Sequence, residues 1–72
     1  MAELEMLSVV ALTEDLPEKG LQRGQVGTIV ESFPLEIYEV EFSDDQGRTY
    51  ASAALSGNQL MRLHHEPGQH AA

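Results

Sequence analysis

The stretch "IYEVEF", residues 37–42, decides how this chain is read. Tyr38, Val40 and Phe42 fall on one side of an extended backbone, and Glu39 and Glu41 on the other. That period of two is the mark of an antiparallel strand with one buried face and one wet face.

Working outward, "SDDQGRTY" (residues 43–50) supplies a hairpin turn. Asp44 or Asp45 can bond its own backbone there, and Gly47 can take the left-handed conformation a tight turn requires. A strand is expected from Arg48 to about Ala54, then one 3₁₀ turn at "SGNQL" and a short last strand at "LMRLH". Upstream, "GLQRGQVGTIVESF" (residues 20–33) predicts a strand from about Gln25 to Phe33, closed by Pro34. Val26 and Val30 are expected to supply core, and Gly20, Gly24 and Gly27 a turn, the start of the strand and a bulge or close backbone approach. The first strand is expected over Met6 to Leu12. The loop "TEDLPEKG" follows it, with Leu16 and Leu21 tucked beneath. The sum is an all-β chain, a small five-stranded SH3-like barrel over residues 6–64 with a 3₁₀ turn before its last strand. A flexible stretch over residues 1–5 and a disordered tail over residues 65–72 are expected to flank it.

Composition narrows the chemistry. In 72 residues there are twelve acids against four bases, a formal charge of -8, and no cysteine. Neither a disulfide nor a thiolate nucleophile is available. So acidic a chain is repelled by phosphate backbones, and nucleic acid is the less favoured partner. The N-terminus "MAELEMLSVVAL" has no basic leader and no apolar run of membrane-spanning length, so a cytoplasmic protein is expected.

From Glu31 to Asp45 the chain carries six acids and no base. Glu39 and Glu41 share a strand face, Asp44 and Asp45 extend the charge into the turn, and Glu36 precedes it; with Tyr50 as a rim aromatic, these are the expected partner-binding residues. One reading is a solvated face that keeps a small protein in solution. The other is a docking surface for a basic protein. Catalysis is not expected, because carboxylates alternating outward on a strand have no pocket to part their pKa values. Adjacent His64 and His65 point to opposite faces of a strand and His70 falls in the tail, so neither metal nor cofactor is expected. Lys19 and Arg23 beside the glycines resemble the loop of KOW-type nucleic-acid-binding barrels, and they are the alternative nucleic-acid site. A small structural subunit of a larger redox complex is a further alternative, and the expected state is a monomer or weak dimer.

Taken together, "VVALTEDLPEKGLQRGQVGTIVE", "YEVEFSDDQGRTYA" and "QLMRL" resemble the small bacterial proteins grouped as domain of unknown function 4926, over about residues 6–64. The resemblance implies the barrel. Because members are often encoded beside small toxin-like proteins, it also implies an antitoxin or immunity role, with a basic partner from the adjacent gene.

Overall fold

A computed structural model describes residues 4–64; the expected tail over residues 65–72 and the first three residues lie outside it. Five strands form one antiparallel sheet: β1 (Val9–Leu12), β2 (Val26–Phe33), β3 (Ile37–Ser43), β4 (Thr49–Ser56) and β5 (Leu60–Arg62). Their order across the sheet is β4-β3-β2-β1-β5. This is the all-β SH3-like barrel expected from the sequence, and the 3₁₀ turn before the last strand is present at Gly57–Gln59. A further 3₁₀ turn, Pro17–Lys19, begins with a proline whose fixed φ suits a first helical position, whereas Pro34–Glu36 is a tight hairpin connection with left-handed backbone at Leu35 and Glu36.

Tyr38, Val40 and Phe42 are buried, as their alternation requires, and pack with Val10, Leu12, Ile29, Leu55 and Leu60. Leu16 and Leu21 close the core from the β1–β2 loop, exchanging backbone hydrogen bonds of 2.9 and 3.1 Å. Each buried leucine contributes about 1.5–3 kcal/mol by leaving water. The loop is therefore part of the packed structure.

Three expectations from the sequence are corrected. β1 begins at Val9, because Leu7 takes φ 66 in a turn that sends its N–H to the Ile29 carbonyl at 2.7 Å. Met6 and Leu7 are exposed instead of joining the strand. In β2, Gly27 and Ile29 face the core, whereas Val26 is 44% exposed and Val30 only half-buried. The cause is Gly27, which lies so close to β3 that a Cβ there would sit 2.6 Å from Val40 Cγ1 and 2.9 Å from the Glu41 carbonyl oxygen. Gly27 is thus the close backbone approach, one of its two expected roles, and the β2 bulge lies at Val30, the extra residue between Ile29 and Glu31. Finally, β4 runs on to Ser56, since pairing with β3 continues through Leu55 opposite Tyr38 and Ser56 opposite Ile37. Ala51, Ala53 and Leu55 turn inward opposite Phe42, Val40 and Tyr38, so the small alanines stand beside Phe42 and Val40.

Candidate acidic interface

The outer face of the sheet is built from β3 outward. Its centre is Glu39 and Glu41, which the inward packing of Tyr38, Val40 and Phe42 forces to the opposite side. β3 is central in the sheet, between β2 and β4. Its glutamates guard no edge and serve only the face.

The register adds a residue that the sequence did not single out. Because Val30 is looped out by the bulge, Glu31 lands directly opposite Glu39. Glu41 lies opposite Thr28 on one side and Ser52 on the other, and Ala54 is the β4 neighbour of Glu39. Three carboxylates therefore share a small area of one face. Among the described residues none of the three accepts a hydrogen bond or forms an ion pair. Like charges placed directly across a sheet destabilise it by about 0.2–1 kcal/mol.

At one end this face becomes apolar. Phe33 pairs with Ile37, and Leu35 at the tip of the hairpin is 92% exposed. Leu35 and Glu36 hold φ values of 66 and 59. Glu36 is thus exposed at the tip, next to the acidic row.

At the other end the turn consumes one of its own charges. Asp44 Oδ1 accepts hydrogen bonds from the backbone N–H groups of Gln46 and Arg48, each at 2.9 Å, and Oδ2 pairs with Arg48 Nε at 3.1 Å. The Arg48 backbone N–H, above all, holds the Asp44 carboxyl below its usual range, with the Gln46 N–H and the Arg48 side chain adding to the effect. Gly47 has φ 80, the conformation read from the sequence. Asp45 is exposed and, among the described residues, its carboxylate accepts no hydrogen bond and forms no ion pair. Tyr50 is the extra residue of a second irregularity, between Phe42 and Ser43 on β3. It is half-exposed, and its hydroxyl accepts a bond from Gln25 Nε2 at 3.1 Å.

The basic alternative is more dispersed. Lys19 ends the Pro17–Lys19 turn and Arg23 follows four residues later, its backbone N–H bound by Asp15 Oδ1 at 2.8 Å. Both side chains are exposed on the β1–β2 loop. A shallow open cavity there is lined by Asp15, Pro17, Gly20, Leu21 and Gln22. Among the described residues that line it, Asp15 alone is ionisable. Among the described residues no three histidine or carboxylate side chains converge in a way that could hold a metal ion, and no helix is long and apolar enough to cross a membrane.

The model of the family described as a domain of unknown function (DUF4926) matches residues 6–62, and the chain belongs to that family. No curated protein and no solved structure matches it.

Proposed function

We propose that this DUF4926 member is a non-catalytic protein-binding module, and that its contact surface is the acidic outer face of β2 and β3. The observation that carries this reading is Glu31 directly opposite Glu39, with Glu41 next along β3 and no described cation set against them. A cross-strand carboxylate pair of this kind costs stability in the free protein. Lysine or arginine side chains from a partner would remove that repulsion, so the strain of the free state becomes affinity in the complex. Glu36, Asp45 and Tyr50 extend the contact at its two ends. Asp44 shapes the turn that presents Asp45.

The partner that fits best is a small basic protein, and the acidic face would cover the surface with which that protein meets phosphate groups. This is the physical form of an antitoxin or immunity role, carried out in the bacterial cytoplasm against the product of the adjacent gene. Co-expression with that gene tests it. The expected result is a complex on a sizing column and restored growth, both lost on charge reversal by Glu39→Lys with Glu41→Lys. A stable complex that survives this reversal refutes the acidic face as the contact.

A further inference from the structure

The third strand does not supply the sheet's long edge; β4 does. It is terminal in the strand order and eight residues long, whereas β5 at the other edge has three. In an antiparallel pair about half of a strand's N–H and C=O groups point away from its neighbour. Among the described residues, no backbone hydrogen bond from outside the sheet reaches Thr49–Ser56. The Ser56 N–H is taken by Gln59 Oε1 at 2.9 Å, and from Thr49 to Leu55 a row of donors and acceptors is left open.

Edges of this length are ordinarily blocked by charge, by proline or by a covering segment. β4 carries no proline and no charged side chain, and from Thr49 to Met61 the chain has no charge at all, although the whole carries -8. On the outer face β4 presents Ser52 and Ala54, two of its smallest side chains. These lie directly beside Glu41 and Glu39. The small residues leave a clear path across β4 from its open edge to the two carboxylates.

We propose that β4 accepts an extended segment of the basic partner as a sixth strand. An added strand lies about 4.8 Å from β4 and roughly twice that from β3. A lysine or arginine side chain on it can lie over Ser52 to reach Glu41, and the next but one can lie over Ala54 to reach Glu39. Residues two apart on a strand share a face, so the partner segment carries basic residues at alternate positions. The residue between them faces the sheet side of Ala53, which is apolar and 9% exposed, and is itself apolar. Backbone bonds along the edge supply affinity, and the alternating basic residues supply specificity, as in other strand-addition complexes. A second copy of this chain fits the edge less well, because its own β4 has no cation to offer the glutamates. The proposal rests on the acidic-face reading and adds the edge to it.

Titration of the full chain with an eight-residue peptide of alternating lysine and valine tests it, alongside the same peptide N-methylated along its backbone. N-methylation removes edge hydrogen bonds and leaves every charge in place. The expected result is at least a tenfold loss of affinity on N-methylation, and a similar loss for Ala54→Lys, which puts a cation on the edge; circular dichroism confirms that this variant stays folded. Equal affinity for the two peptides, with loss of both on Glu39→Gln plus Glu41→Gln, overturns the edge and leaves the acidic face standing. Binding of neither peptide overturns the proposal, as does concentration-dependent self-association that Ala54→Lys abolishes.

Discussion

Replacing Gly27 by alanine tests the packing on which the acidic face rests. Gly27 has ordinary backbone angles, so alanine by itself would gain about 0.5–1 kcal/mol from a less flexible unfolded chain. Against that gain, its Cβ would meet Val40 Cγ1 at 2.6 Å, the Glu41 carbonyl oxygen at 2.9 Å and Phe42 Cδ1 at 3.0 Å. Val40 and Phe42 are fully buried and the oxygen belongs to a central strand, so none of the three can swing aside. Overpacking of this severity costs about 3 kcal/mol, at the upper end of its usual range. The net loss is then roughly 2 kcal/mol in a domain whose total stability is about 5 kcal/mol. For a chain of this size the midpoint of thermal unfolding falls by roughly 8–16 °C. Gly57→Ala is the control, since its Cβ meets only Tyr38 Cε2, at 3.3 Å, and Glu36 oxygens beyond it. Thermal and urea unfolding followed by circular dichroism measure both variants. Gly27→Ala as stable as the wild type, or no less stable than Gly57→Ala, refutes the close approach and the β2–β3 register drawn from it.

Other expected outcomes follow from the same geometry. Glu31→Gln removes one half of the opposed carboxylate pair and stabilises the free protein by about 0.2–1 kcal/mol at low salt, a gain that shrinks at high salt; urea midpoints at two ionic strengths check it. On the acidic-face reading the same variant binds the basic partner more weakly. Leu35→Gly loses almost no buried surface, since Leu35 is 92% exposed, and it relieves a left-handed φ of 66. A gain of about 0.5 kcal/mol is expected from the balance of that relief against glycine's unfolded-state entropy, read from urea unfolding. The Asp44 carboxyl has a lowered pKa in the folded state, so its contribution is full above the usual carboxylate range and is lost as the pH falls through the lowered value. Asp44→Asn is therefore less stable than the wild type at neutral pH, and the difference closes in strong acid, as urea unfolding across that range will show.

Much of the fold was legible because it is written in short-range patterns. The alternation of Tyr38, Val40 and Phe42 with Glu39 and Glu41 assigns β3 and its buried face, and the structure bears this out. Gly47 and its preceding aspartates marked the β3–β4 turn, and Leu16 and Leu21 marked an ordered loop, each from composition over a few residues. β2 was harder to read. Its run "VGTIV" offers an apolar residue in either phase, so alternation could not choose between Val26 with Val30 and Gly27 with Ile29. The close contact of Gly27 with Val40 and Glu41 makes that choice, between residues more than a dozen positions apart.

What the sequence by itself determined was the class of fold, the strand that carries the acidic face and the sign of its charge. These depend on side-chain period, turn chemistry and composition, all of which act between neighbours along the chain. Only the tertiary structure placed Glu31 opposite Glu39, made β3 central and left β4 as the long open edge. Cross-strand partners follow from register, and one bulge residue, Val30, shifts every pairing beyond it. Pairing of that kind is settled by packing between distant segments, so reading either segment alone could not supply it.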